Sequence, residues 1–333
     1  MSLPGYNLTS EPMDRRLDLK VGFACNNNCR FCVAAYKRKL GNKSTEKIMS
    51  ELDEAKQEGL TEVVFTGGEP TVRPDIAELV AYASSLGYTS IQIQSNGRMF
   101  YYKKFCNRMI KAGANEFAIS LHAPRAEIHD FLTRSPGSFE QTVQGIRNLK
   151  ELDRRLLLNS VVTKSNYIHL PELAKLLVSL GVEQFQMAFV HAMGNAYANF
   201  DNIVPRKSLA APYIKSALQV GIDAGVRVMS EAMPYCFMKG YENYIGELYN
   251  PPTEVRDIDS TDPKFEETRI KEGKCKGEKC KECRYYLICE GPWREYPEKR
   301  GWGEFVPVPG RRIKRLPASP CNRQICKPGD TDE

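Results

Sequence analysis

Between about Leu17 and Ala192 the chain alternates short runs rich in β-branched residues with longer amphipathic stretches, and it does so six times. Consecutive strands separated by a helix-length segment pair in parallel, with the connection crossing one face of the sheet, so this rhythm restricts the fold to repeated βα units. The strand candidates are LDLKVGF, TEVVFT, TSIQIQS, NEFAISL, RLLLNSVVT and QFQMAFV. Between them Ile48, Leu52 and Ala55 share one helical face, and Leu173, Leu176, Leu177 and Leu180 share another. Gly59, Gly87 and Gly181 each follow such a segment, where a left-handed residue ends a helix. Ser138 and Gln141 have capping-box spacing ahead of Val143, Ile146 and Leu149. Six units predict an α/β fold, as an open doubly wound sheet or a partial barrel. Both place the site at the C-terminal ends of the strands. The polar and glycine-rich insertions obey that rule: CNNNCRFC follows the first strand, GGEP the second, SNG the third and HAP the fourth.

Beyond Pro205 the rhythm stops. A helix is predicted from about Leu209 to Ala224 and a short strand near VRVMS, followed by a stretch rich in Pro, Gly, Asp and Lys with few apolar runs. Such a segment buries little core, so ligated metal is the expected source of its order. The 333 residues therefore divide into a βα domain over 15–230 and a Cys-rich extension over 231–333. With 42% hydrophobic and 26% charged residues the chain is neither disordered nor a disulfide scaffold. The MSLPGYNLTSEPMDRR terminus has no apolar signal region, and no 18 consecutive residues are apolar, so the expected location is the cytoplasm, without a membrane partner. Thiols stay reduced there, and clustered cysteines are metal ligands or redox groups before they are disulfides. The net charge of +6 and the basic run Arg311, Arg312, Lys314 and Arg315 read as solvated surface, and nucleic acid is not the expected partner.

The cysteines carry the chemistry. Cys25, Cys29 and Cys32 form CxxxCxxC directly after the first strand, with no Cys or His in the next ten residues. A structural zinc site wants four closed ligands, whereas three thiolates can hold three corners of a [4Fe-4S] cube and leave one iron open to chemistry.

CNNNCRFC after one strand and GGEP after the next resemble the radical S-adenosylmethionine (SAM) superfamily, over roughly residues 15 to 200. The resemblance implies a partial (β/α)6 TIM-type barrel with a C-terminal Cys-rich, metal-ordered extension. It implies a SAM-binding [4Fe-4S] cluster on Cys25, Cys29 and Cys32, reductive cleavage of SAM to a 5′-deoxyadenosyl radical, and an electron donor such as ferredoxin or flavodoxin. It also implies SAM contacts from Gly67, Gly68, Glu69 and Pro70 toward the methionyl ammonium, from Ser95, Asn96 and Gly97 toward the ribose, from Ser120, Arg134 and Asn159, and from Phe31 near the adenine. The glycine pair is expected to let backbone approach the ligand closely.

Cys280, Cys283 and Cys289 form CxxCx5C, which resembles the auxiliary-cluster extensions called SPASM or twitch domains, although the next cysteine of that pattern falls on Trp293. The resemblance implies an auxiliary [4Fe-4S] cluster on Cys280, Cys283, Cys289 and Cys321, with Cys236, Cys275 and Cys326 as the remaining thiols. The competing arrangement is a zinc knuckle of Cys275, Cys280, Cys283 and Cys289. Cys106 reads as a buried small hydrophobe, and Trp293, Tyr296, Trp302 and Phe305 as packing for the extension. The function implied is hydrogen abstraction from a peptide or protein side chain. The alternatives are the same chemistry on a small metabolite, and a non-catalytic metal- or nucleic-acid-binding protein on the same scaffold.

Overall fold

A computed structural model describes residues 15–316. The first part runs β1 (Arg16–Lys20), α1 (Thr45–Gln57), β2 (Glu62–Thr66), α2 (Ile76–Ser85), β3 (Ser90–Ser95), α3 (Lys103–Ala112) and β4 (Glu116–Ser120). The helices α4 (Ala126–Thr133) and α5 (Ser138–Glu151) lead to β5 (Arg155–Val162), and α6 (Leu170–Ser179) leads to β6 (Gln184–Phe189). Then come α7 (Gly194–Ala198), α8 (Phe200–Ile203), α9 (Lys207–Asp223), β7 (Arg227–Glu231), β8 (Thr253–Arg256) and β9 (Thr261–Asp262). Strands β1 to β7 pair in chain order and in parallel, so their C-terminal ends share one side of the sheet.

Side-chain alternation explains the layers. In β5, Leu156, Leu158, Ser160 and Val162 are buried, while Arg155, Leu157, Asn159 and Val161 are half-buried on the opposite face. The buried face packs on helices that present the predicted stripes, among them Ile48, Leu52 and Ala55 of α1 and Leu173 and Leu177 of α6. Phe65, Phe117 and Phe185 are fully buried from β2, β4 and β6, and each such ring contributes roughly 1.5–3 kcal/mol of burial. Gly59, Gly87 and Gly181 take positive φ of 84°, 76° and 71° just past their helices. Among the described residues no helix is long and apolar enough to cross a membrane.

Two expectations change. Ser138 does not cap α5; it is the first residue of the helix, after Gly137. The cap comes from Asp130 of α4, whose carboxylate accepts from Gly137 N at 2.6 Å and from Phe139 N and Ser138 Oγ at 2.8 Å each. A carboxylate from the preceding helix outcompetes the local serine because it satisfies two exposed N–H groups and neutralises the dipole end. The second change concerns where the sheet stops. The strand expected near VRVMS joins the six as β7, and β8, which was not expected, pairs in parallel with β1, so the sheet continues past residue 230 into the extension as nine strands.

The join at β8 is electrostatic as well as backbone-paired. Arg256 is buried and donates to Glu254 at 2.6 Å within its own strand, and to Glu54 at 2.9 Å and Glu58 at 3.2 Å on α1. Close by, Lys43 meets Glu51 of α1 at 2.6 Å, both buried, and donates to the Arg256 carbonyl. Removing one partner of a buried pair leaves the other charged without compensation. Arg256→Met is expected to lower the unfolding free energy by about 3–5 kcal/mol, read as an earlier midpoint in urea denaturation; an unchanged midpoint contradicts this account of the join.

Candidate functional site at the strand ends

The loop after β1 carries Cys25, Cys29 and Cys32 and is held from three sides by main-chain bonds. Gly68 N donates to Gly22 O and Glu69 N to Ala24 O, both at 2.8 Å. Asn28 N and Arg30 N donate to Thr133 O and Leu132 O at the end of α4. From α7, after β6, Asn195 N donates to Cys32 O at 3.0 Å and its Nδ2 to Cys29 O at 2.8 Å. The glycine pair serves this clamp. A Cβ on Gly67 falls 2.2 Å from Gly22 O, and one on Gly68 falls 2.4 Å from Ala24 O. The close approach these glycines permit is thus to the cysteine loop itself, a nearer neighbour than the ligand anticipated from the sequence.

Glu69 joins three strand ends. Its carboxylate, buried, accepts from Thr71 N at 3.1 Å, Thr71 Oγ1 at 2.5 Å, Ser95 Oγ at 2.8 Å and Asn96 N at 2.6 Å. Burial raises its pKa, against the lowering effect of these donors. Both oxygens are occupied, so Glu69 acts on the site by holding the β2 and β3 ends in register. Pro70 opens the short turn Pro70–Val72 that this carboxylate caps. Gly97 N donates to Ser95 Oγ at 2.9 Å, and Asn96 Nδ2 reaches Asn26 Oδ1 in the cysteine loop at 2.6 Å. Arg98, not anticipated from the sequence, completes the frame by donating to Asn27 Oδ1 at 2.8 Å, Ser135 Oγ at 3.0 Å and Gln141 Oε1 at 2.6 Å.

The thiols are electrostatically coupled. Burial raises the Cys25 thiol, with smaller contributions from Glu69 and Cys32, and pushes Cys29 up to about 12, with Cys25 and Cys32 adding to the rise. Three half-buried thiols on one loop, with the Cys25 and Cys29 thiolates disfavoured, form a place where a cationic iron centre compensates. Asn27 N points at Cys25 Sγ from 3.4 Å. Phe31 is buried beside them, edge-on to His122 at 4.8 Å. His122 in turn stacks on His129 at 5.6 Å. His122 Nδ1 accepts from Val161 N, and His129 Nδ1 accepts from His122 N. Across β4 to β6, Ser120, Asn159 and Gln186 lie in register. Asn159 Oδ1 is buried without a hydrogen-bond partner, an acceptor aimed where a donor belongs. Arg134 is exposed and left-handed at the end of α4, beside Ser135.

A second group of thiols lies in the extension. Cys236, Cys280, Cys283 and Cys289 line one cavity, with Phe305 on its wall. Burial pushes Cys236 up to about 12, aided by Cys289, Cys283 and Cys280. Val308 N lies 3.4 Å from Cys283 Sγ, and burial raises the Cys280 and Cys289 thiols against the lowering effect of nearby backbone N–H groups. The fourth wall position belongs to Cys236, which the sequence leaves unassigned because it stands 44 residues before Cys280. Cys275 is within electrostatic reach of Cys280 but does not line the cavity, and Cys321 and Cys326 lie outside the described residues. Among the described residues no three His, Cys, Asp or Glu side chains converge closely enough to hold a single metal ion. Trp293 stacks on His191 at 3.9 Å and carries Lys274 Nζ 4.3 Å from its ring centre. Tyr296 and Phe305 are buried packing, as anticipated. Cys106 is buried with its Sγ toward Phe100 O.

The family model described as the radical SAM superfamily matches residues 19–177. An AdoMet-dependent heme synthase of Oleidesulfovibrio alaskensis is 29% identical over 198 residues, 59% of this chain and 50% of that protein. A probable GTP 3',8-cyclase of Saccharolobus solfataricus is 29% identical over 182 residues, 54% of this chain and 58% of that protein. The chain thus spans about half the length of the curated relatives it matches. In fold it is similar to Streptococcus suis SuiB bound to precursor peptide SuiA, with a TM-score of 0.64 at 17% identity over 91% of this chain and 76% of that one. It is also similar to native anSMEcpe with bound AdoMet and Cp18Cys peptide, with a TM-score of 0.62 at 16% identity over 85% of this chain and 89% of that one.

The buried histidines give the site a pH signature. Burial lowers His122 well below the ordinary imidazole value and brings His129 to about 3. The unfolded chain binds their protons near pH 6.5 and the folded chain does not, so stability falls as pH drops below about 6.5, by up to about 1.4 kcal/mol per pH unit for each histidine. His122→Asn keeps an acceptor for Val161 N and removes one titrating group. Urea midpoints measured from pH 7 to 5 are expected to fall less steeply in that variant than in the parent; equal slopes contradict the assignment.

Proposed function

We propose that this chain, whose residues 19–177 match the radical SAM superfamily model, is an enzyme that cleaves SAM reductively and abstracts hydrogen from a peptide or protein side chain. The observation that carries this reading is the clamped loop, which holds Cys25, Cys29 and Cys32 half-buried and side by side at the strand ends. These three residues would hold a [4Fe-4S] cluster. Gly67 to Pro70, Ser95 to Gly97, Ser120, Asn159, Arg134 and Phe31 would supply the SAM contacts. When bound, the cluster and SAM supply a one-electron cleavage that releases methionine and a 5′-deoxyadenosyl radical. The chain's own task is positional: Glu69 and Arg98 fix the loop against β3, and the unpartnered Asn159 Oδ1 offers an acceptor to a ribose hydroxyl or the methionyl ammonium.

Cys236, Cys280, Cys283 and Cys289 would hold an auxiliary iron–sulfur cluster, with Cys236 in the place anticipated for Cys321. The Val308 N–H directed at Cys283 Sγ supports this, because such bonds stabilise a thiolate-ligated cluster and tune its potential. Such a cluster would supply a one-electron store close to the substrate. Electrons for SAM cleavage would come from a ferredoxin or flavodoxin. A second reading, the same chemistry on a small molecule, draws support from relatives named as a heme synthase and a GTP cyclase.

Anaerobically reconstituted protein given dithionite and SAM is expected to form 5′-deoxyadenosine at least about 100-fold faster than a Cys29→Ala variant, a barrier difference of about 2.7 kcal/mol; no product above that control overturns the enzyme reading. For the extension, a Cys25, Cys29 and Cys32 triple-alanine variant is expected to retain about four iron and four sulfide per chain, and to lose most of both when Cys236→Ala is added. Zinc without iron in the triple variant refutes the auxiliary cluster.

A further inference from the structure

A second cavity lies against the extension's cysteines, bounded by Tyr235, Glu247, Cys289 and Glu290 with apolar walls from Met233, Ile245 and Ile288. Cys289 lines both cavities, so this one touches the proposed auxiliary site from outside the thiol cavity. It opens beside the C-terminal end of β7, because Glu247 Oε1 accepts from Ala232 N, one residue past that strand, at 2.8 Å.

Two of its polar groups lack partners. Glu247 spends Oε1 on Ala232 N and on Lys274 Nζ at 3.2 Å, while Oε2 is buried with no hydrogen bond. Its side chain is 9% exposed. Tyr235 is 3% exposed, its ring fixed against Tyr285 at 4.7 Å, and its hydroxyl is likewise buried with no hydrogen bond. Buried polar atoms are almost always paired, and two orphans on residues that line one cavity mark a place for a group that supplies donors. The charged residues on the wall are both acidic, and Arg269 occupies Glu290 through bonds of 2.6 and 3.1 Å, which leaves Glu247 Oε2 as the acceptor on offer.

We propose that this cavity binds an alkylammonium or alkylguanidinium group, one N–H to Glu247 Oε2 and another to the Tyr235 oxygen, with its methylene stem along Met233, Ile245 and Ile288. In a peptide substrate this is a lysine or arginine side chain seated against the Cys289 edge of the auxiliary site. Naming it a substrate side chain rests on the peptide reading above; the cation site itself does not, and calorimetry separates the two.

The test is isothermal titration calorimetry of the reconstituted full-length chain with n-propylammonium and n-propylguanidinium, with n-propanol as the neutral control. Saturable 1:1 binding of at least one cation is expected, weaker at least tenfold in Glu247→Gln and several-fold in Tyr235→Phe, with no binding of n-propanol. If Glu247→Gln does not fold, Tyr235→Phe, which keeps the ring stack, and a concentration-dependent rise in the parent's melting temperature carry the test. No saturable binding, equal binding by both variants, or equal binding of n-propanol overturns the proposal, the first outcome leaving the cavity to ordered water. The same preparation is assayed for SAM cleavage: cation binding without cleavage sinks the enzyme reading and leaves the site, and cleavage without cation binding does the reverse.

Discussion

One buried carboxylate organises the strand ends. Glu69 is placed by the backbone bond from its own N–H to Ala24 O, and its side chain accepts from residues that follow β2 and end β3. A buried carboxylate with unfilled acceptor sites is costly, so each donor it gathers is held tightly, and the loops that bring those donors lose their freedom together. The glycines before it let the two loops approach to backbone contact. The cysteine loop inherits its rigidity from this arrangement. Arg98 and Asn195 extend the frame from the β3 and β6 sides.

The extension shares the barrel's apolar core, with Tyr296 packed on Phe189 and Phe200, and polar groups add further ties. Buried Lys207 opens α9, donates to Ala232 O at 2.7 Å and sits 3.4 Å from the centre of the Phe189 ring. Its N–H meets Tyr296 Oη at 2.9 Å, so one residue links the β6 end, the β7 exit and the extension. The stack of His191 on Trp293 adds a second link from the loop after β6, and His191 Nε2 meets Glu295 at 3.2 Å. These links, with the shared apolar core, set the thiol cavity beside the strand ends.

The parts of this fold that were legible in the sequence are those governed by local periodicity and motif spacing. The six strands, the apolar stripes of α1 and α6 and the terminating glycines follow from side-chain alternation and backbone sterics, which act over a few residues. The same holds for the grouping of Cys25, Cys29 and Cys32 on one loop. What was not legible depends on partners brought together by the sheet. Asp130 displaces Ser138 as the α5 cap from eight residues away, Cys236 reaches a cavity formed by cysteines more than forty residues later, and Arg98 and Asn195 look in the sequence like ordinary loop polar residues. The long apolar-poor stretch gave no sign of a strand; TEVR is short, with Val255 its one apolar residue, yet β1 recruits it.

That recruitment bears on how the chain avoids association. Without β8, the strand that carries the cysteine loop would be the rim of the sheet, offering a row of unpaired N–H and C=O groups on the apolar sequence LDLKVGF. Exposed rims of that kind template pairing with other chains. The extension therefore shields the barrel as well as carrying thiols. The short antiparallel β9 and the charged Arg256 finish the job, leaving an outer edge of two residues that is poorly suited to growth.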